Sequence, residues 1–183
     1  VDGGTAAPQD SLRIDNIIYY APQQSWEDII GYNVNCYYYE NEYDENEVIY
    51  IQKNLARTGV MSVSSRAAEN FDFPYFYYAD EKNSRLNKIS VSDELCMIYN
   101  GMPKANIEKG DFQPSNGELV FIDSDDNGKY DVVKIKSYCN AVVSSVGEDE
   151  IYISYPDKGK LELDEYDTVV LCNKEGNEIS LSE

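Results

Sequence analysis

Histidine is absent from the 183 residues. Ser-His and Cys-His nucleophile pairs, an imidazole general base and His-ligated zinc are therefore all excluded. The four cysteines, at 36, 96, 139 and 172, form no Cys-x-x-Cys pair, so the clustered thiolates of a zinc site are missing too. Positive charge is scarce: 15 Lys+Arg stand against 34 Asp+Glu, a formal net charge of −19, and the basic residues form no stripe. Such a surface repels nucleic-acid phosphates and anionic lipid headgroups, and no nucleic-acid partner is expected. No run reaches the ~18 consecutive apolar residues of a membrane span, so no membrane insertion is expected. Gly101, Gly110 and Gly117 are isolated turn glycines rather than a phosphate loop. Ser64-Ser65 and Ser144-Ser145 lack the context of a nucleophile elbow.

What the chain does have is aromatic surface. Seventeen tyrosines bring Phe, Trp and Tyr to 13% of the residues, and each buried ring removes roughly 150–250 Å² from water. That offsets the disorder which high net charge alone would suggest. A folded protein with an acidic surface is expected. Each cysteine examined in context (Asn35-Cys36-Tyr37, Leu95-Cys96-Met97, Leu171-Cys172) lies in an apolar or aromatic run. Small buried hydrophobes are one reading; two disulfides, with three possible pairings, are the other.

Short runs rich in Val, Ile, Tyr and Phe recur at 14–20, 33–39, 47–52, 60–63, 75–78, 88–91, 96–99, 119–122, 130–136, 141–146, 150–155, 160–163, 168–172 and 178–181. Many alternate with period two, the signature of half-buried strands. Two short helices are expected at most, at 25–30 behind a Ser25 cap and at 64–70. The expected fold is all-β, a hairpin-built sandwich or small barrels in two subdomains. Hairpins with acidic tips are expected over 37–51, 75–89, 119–133 and 169–181, where their charge stays solvated. Residues 1–13 read as a flexible arm, 14–137 as a β-rich domain with an Asp-rich hairpin, and 138–183 as a small barrel-like subdomain. The opening Val1-Asp2-Gly3-Gly4 has no Met and no signal-peptide pattern, and the end stops in a strand-like run. A piece of a longer polypeptide is expected.

One segment carries chemistry. Asp123-Ser124-Asp125-Asp126-Asn127-Gly128-Lys129-Tyr130-Asp131 has the spacing D-x-D-x-N-G-x-x-D. Calcium takes about six to eight oxygens at about 2.3–2.6 Å. Asp123, Asp125, Asn127 and Asp131 fill the side-chain places of such a loop, Lys129 offers a carbonyl, and Gly128 permits the sharp turn. An EF-hand would need a bidentate Glu where Lys134 stands, and its flanks would be helices; here they read as strands. The match is to strand–loop–strand calcium loops of the FG-GAP type. A metal-free Asn-Gly hairpin turn is the alternative, although its crowded carboxylates would repel one another. Any bound Ca2+ is expected to be structural.

Paired carboxylates could hydrolyse glycosides, but nothing in the sequence singles out two of them. Tyr37, Tyr38 and Tyr39, or Phe76, Tyr77 and Tyr78, could stack on sugar rings, though neighbouring strand residues point to opposite faces.

The stretch from Gly117-Glu118-Leu119-Val120-Phe121-Ile122 through the Asp-rich loop to Val132-Val133-Lys134-Ile135 resembles a module of large Firmicutes surface proteins, often associated with S-layer-homology domains, and of related phage structural proteins. Ile98-Tyr99-Asn100-Gly101, the hairpin 37–51, residues 138–146 and Leu161-Glu162-Leu163-Asp164 are also similar to its parts. The resemblance implies a β-rich, non-catalytic building block at the cell surface or in a virion. Its partners would be other subunits or modules of the same assembly. A carbohydrate-binding or adhesive module, with a polysaccharide partner met by exposed tyrosines, is the alternative function. An acidic glycosidase-like enzyme stands third.

Overall fold

The computed structural model describes residues 10–21, 28–155, 158–165 and 177. Strand makes up 58% of it and helix 7%, so the chain is all-β, with several sheets. It divides into two compact units, Val1–Tyr138 and Cys139–Glu183.

The first unit opens with a hairpin of β1 (Ser11–Ile14) and β2 (Ile17–Tyr20). Asp15 and Asn16 both hold positive φ, 48° and 64°, the backbone a two-residue type I′ turn requires. Leu12, Ile14 and Tyr19 are buried. The arm expected over 1–13 therefore gives way to a strand at Ser11, because Leu12 and Ile14 alternate with polar neighbours and gain a partner in β2. The hairpin continues into β3 (Val34–Glu40) and β4 (Asn46–Lys53), giving a four-stranded sheet of order β1-β2-β4-β3. The acidic tip between β3 and β4 is built on Asn41, whose side-chain oxygen accepts from the amides of Tyr43 and Glu45.

A seven-stranded sheet follows. Its members are β5 (Gly59–Ser64), β6 (Ala68–Asp72), β7 (Tyr75–Ala79), β8 (Leu86–Tyr99), β9 (Met102–Lys104), β10 (Gly117–Asp123) and β11 (Tyr130–Ser137). The order is β5-β10-β11-β8-β7-β6, with β9 paired to β8. All its neighbours are antiparallel except β8 and β11. Strand alternation divides its side chains cleanly between two faces. Leu119, Phe121, Val133, Ile135 and Met97 point into the main core with Phe76 and Phe112. Ile122, Val132 and Ile98 point the other way and pack against Ile30 and Tyr32. Gly31 enables that second contact, since a Cβ there would lie 3.0 Å from Val132 Cγ1 and its φ is +84°.

The expected helix at 64–70 is not present: Ser64 ends β5, a turn follows, and Ala68 opens β6. Ala67 and Ala68 favour helix locally, but their small side chains are used in the core and the β6–β7 ladder. Most of the helix expected at 25–30 lies outside the described residues; Asp28, Ile29 and Ile30 form a turn. The described helical segments are three 3₁₀ turns, Leu55–Arg57, Lys109–Phe112 and Leu163–Glu165.

In the second unit, β12 (Val142–Val146), β13 (Glu150–Tyr155) and β14 (Gly159–Glu162) form an antiparallel three-stranded sheet. Those described strands make an open sheet, not a closed barrel. The strands expected at 168–172 and 178–181, and the hairpin joining them, lie outside the described residues.

Cys36, Cys96 and Cys139 form no disulfide with one another. Cys36 and Cys96 are half-buried, whereas Cys139 is exposed and does not fit the buried-hydrophobe reading. Cys172 lies outside the described residues. Burial pushes the Cys36 thiol up from its ordinary value, and only thiolate alkylates. Iodoacetamide at mildly alkaline pH is expected to label Cys139 before Cys36. Peptide mapping of a labelling time course checks the order, and the reverse order would contradict these burial assignments.

Candidate metal centre

The Asp-rich segment joins β10 to β11, two strands flanked by β5 and β8 inside the seven-stranded sheet. Six residue pairs, from Gly117↔Ser137 to Ile122↔Val132, hold this hairpin in register. That ladder fixes both ends of the loop, and so the direction in which its carboxylates converge.

Asp123 is the last residue of β10 and is buried, at 5% exposure. Its Oδ1 accepts from the Asn127 amide at 3.1 Å and its Oδ2 from the Gly128 amide at 2.8 Å. Burying a carboxylate requires such bonds. Asp131, on β11, accepts through Oδ2 from both the amide and the hydroxyl of Ser124, at 3.0 and 2.9 Å. Asp125 accepts from Asn127 Nδ2 at 2.9 Å, and Asn127 Oδ1 accepts from the Lys129 amide at 2.8 Å. Asp126 and Gly128 take positive φ, 60° and 85°, which coils the backbone around the Asp123 carboxylate.

Oxygens of Asp123, Asp125 and Asp131 all lie within 4.8 Å of one another, a spacing at which they could hold a metal ion. Their exposure is graded, with Asp123 buried, Asp131 intermediate and Asp125 exposed. Two like charges 4 Å apart repel by about 1 kcal/mol in water and about 4 kcal/mol at the effective dielectric of a protein surface. The backbone amides offset part of this, and a divalent cation would reverse its sign. Each carboxylate oxygen has two lone pairs, so an amide bond on one leaves the other for an ion. Asn127 and Lys129, the other expected ligands, sit on the same loop; Asn127 donates its amide to Asp123 and its side-chain nitrogen to Asp125, and its side-chain oxygen accepts from the Lys129 amide. Asp126, at positive φ, is not part of the three-carboxylate group.

Lys134, which stands where an EF-hand would place its bidentate Glu, turns away from the loop. Its ammonium lies 5.3 Å from the centre of the Tyr32 ring and donates to the Asp28 carbonyl at 3.5 Å. Lys53 approaches the same ring at 4.3 Å. Lys134 thus packs β11 against the segment that precedes β3.

Three supporting residues were not legible from the loop motif. Gly59 on β5 pairs with Asp123, and a Cβ there would lie 3.2 Å from Asp123 Cβ, so glycine leaves room for the carboxylate. Only the cross-strand register shows this. Ser124 ties Asp131 to the loop; the Asp-Ser-Asp sequence was the available signal. Tyr130 packs edge-on to Phe121 at 5.9 Å and anchors the start of β11 in the core. Burial, followed by the nearby Asp123 carboxylate, raises its pKa.

A shallow cleft between β5 and the turn after β7 also gathers acidic groups. Glu81 there accepts from Ser64 Oγ at 2.7 Å, and Asp80 accepts from the amides of Lys82 and Asn83. These carboxylates hold the turn and the edge of the sheet.

Among known proteins, no protein-family model, no curated protein and no solved structure matches this chain.

Proposed function

We propose that this chain is a non-catalytic structural and interaction module of a larger bacterial surface or phage virion protein, stabilised by calcium in the loop 123–131. The carrying observation is the approach of the Asp123, Asp125 and Asp131 oxygens to within 4.8 Å of one another at the end of a paired hairpin. All-oxygen donor sets of this kind suit hard cations, and a flexible loop suits calcium over the smaller, strictly octahedral magnesium. The surface or virion setting rests on the resemblance of residues 117–135. Its partners would be neighbouring subunits or modules. The absence of histidine and the use of the cleft carboxylates in turn bonding support a non-catalytic role.

A calcium ion in this loop would bridge β10 and β11, and ligands that bind only the folded state raise its stability. Extracellular modules bind calcium at about 0.1–1 mM. At about a hundredfold excess over that constant the gain is about 2.7 kcal/mol. At about 2–4 °C per kcal/mol for a chain of this size, the melting temperature should rise by about 5–10 °C. Asp123→Asn should abolish the rise, while magnesium should give a smaller one. If saturating calcium leaves the melting curve of the native chain unmoved, the metal part of this reading is wrong.

A further inference from the structure

The four-stranded sheet has two unlike faces. On one, Tyr19 is buried and its ring meets Tyr38 edge-on at 4.9 Å. On the other, the ladders set Tyr37 beside Tyr50, Tyr39 beside Glu47, and Glu47 beside Tyr20. Cross-strand partners share a face, so these rings form one band. Tyr37 and Tyr50 stay 58% and 54% exposed, with ring centroids 6.1 Å apart. Tyr39 donates its hydroxyl to the Glu47 carboxylate, which raises the tyrosine's pKa. Strand β3 ends the sheet, and among the described residues its outer edge has no ladder partner. It also lacks the Pro and Lys with which edge strands are commonly protected.

Along β3, its turn and β4 as far as Gln52 the charge has one sign, and Arg13 on β1 is the cation on the same face of the sheet. Residues 34–52 contain Glu40, Glu42, Asp44, Glu45 and Glu47, and no Lys or Arg. Elsewhere the protein covers tyrosine faces with its own lysines, Lys88 over Tyr75 at 3.9 Å and Lys53 over Tyr32 at 4.3 Å. Among the described residues no lysine lies over Tyr37 or Tyr50. The complement of an uncovered ring bordered by carboxylates is an ammonium or guanidinium, which gains both the ring face and an ion pair.

We propose that the tyrosine band of β3 and β4 docks a basic, extended segment of another protein, added along β3 with a Lys or Arg side chain laid across the neighbouring rings of Tyr37 and Tyr50. Strand addition supplies main-chain bonds, and period two brings every second side chain to the band. A second copy of this chain is the wrong occupant, because each carries a formal charge of −19. The proposal rests on the interaction-module reading and specifies the chemistry of its partner.

The test titrates the intact chain, with EDTA present, with a synthetic peptide of about eight residues alternating Arg and Thr, the length of an ordinary strand. Saturable binding is expected, weakened about tenfold or more by Tyr37→Ser with Tyr50→Ser and retained with Tyr→Phe at both. Glu148→Gln with Asp149→Gln, in the second unit, should change it by less than about twofold. Circular dichroism establishes that each variant is folded. Equal weakening by both variant pairs would reduce the effect to bulk charge and overturn the proposal. So would the absence of saturable binding, or tyrosine-dependent retention on an oligosaccharide column without peptide binding. Because calcium is chelated throughout, a negative result here leaves the calcium-dependent melting to stand or fall by itself.

Discussion

Gly117→Ala is expected to destabilise the first unit by about 3–5 kcal/mol, a large part of the ~5–15 kcal/mol that holds an ordinary domain together. Gly117 opens β10 with φ at +133°, a conformation that side-chain-bearing residues rarely adopt. A Cβ there would lie 1.8 Å from the Lys136 carbonyl oxygen and 2.8 Å from its carbon. Both obstacles are backbone atoms of β11, so no rotamer change relieves the overlap; the strands themselves must part. The carbonyl of Gly117 also accepts from the Ser65 amide at 2.9 Å, which couples the same point to the turn after β5. Gly101→Ala provides the comparison. It shares a positive φ, +85°, but a Cβ there meets nothing within 4 Å, so only the backbone cost of about 1 kcal/mol should appear. Urea unfolding of the two variants, followed by circular dichroism, separates these contributions. Equal midpoints for the two would show that the close approach at Lys136 is not as described.

Phe121→Ala is expected to cost about 3–5 kcal/mol, through lost transfer energy and the cavity left in the core. Phe121 is fully buried on β10 and lies 4.7 Å from Phe76, 5.9 Å from Tyr130 and 6.5 Å from Phe112, ring centre to ring centre. Close packing on several sides limits how far the site can collapse. Tyr43→Ala, at a ring 74% exposed on the β3–β4 tip, should stay within about 0.5 kcal/mol of the native chain. The loss at Phe121 should also lower any rise in melting temperature on adding calcium, since Tyr130, the first residue of β11, carries the core packing to the adjacent Asp131. A Phe121→Ala chain that melts within a degree or so of the native one, where about 2–4 °C would follow from each kcal/mol lost, would remove Phe121 from the centre of the core.

Local pattern predicted the paired hairpins well. The runs at 37–51, 75–89 and 119–133 appear as β3–β4, β7–β8 and β10–β11 because each alternates its apolar residues and is punctuated by turn formers. The runs at 88–91 and 96–99 read as two strands yet belong to the single strand β8. Ser92, Asp93 and Glu94 break the apolar pattern there. The strand nonetheless continues, since its first half pairs with β7 and its second with β11 and β9. β6 left no strand signal in Ala68-Glu69-Asn70. It is held by the β7 ladder and by Phe71, whose ring stacks on Phe112 at 3.9 Å. β7 follows directly after Phe73-Pro74, but Phe112 is distant in sequence, so no local window could report the stacking that holds Phe71.

The all-β class, the acidic tips and the Asp-rich loop were determined by the sequence itself, because period-two burial, turn chemistry and ligand spacing act over a few residues. Spacing singled out Asp123, Asp125 and Asp131, and the tertiary structure decided how they are held. Asp123, Asp125 and Asp131 come together because the β10–β11 ladder fixes both ends of their loop, and Gly59 leaves space for Asp123 from a strand more than fifty residues away in sequence. The same holds for the tyrosines. Tyr37 and Tyr38 are neighbours in a row of three identical residues, yet the pleat turns Tyr38 to Tyr19 and leaves Tyr37 beside Tyr50 in the open. Which neighbour each ring meets depends on the face of the sheet it stands on, a matter settled by long-range pairing rather than by residue type.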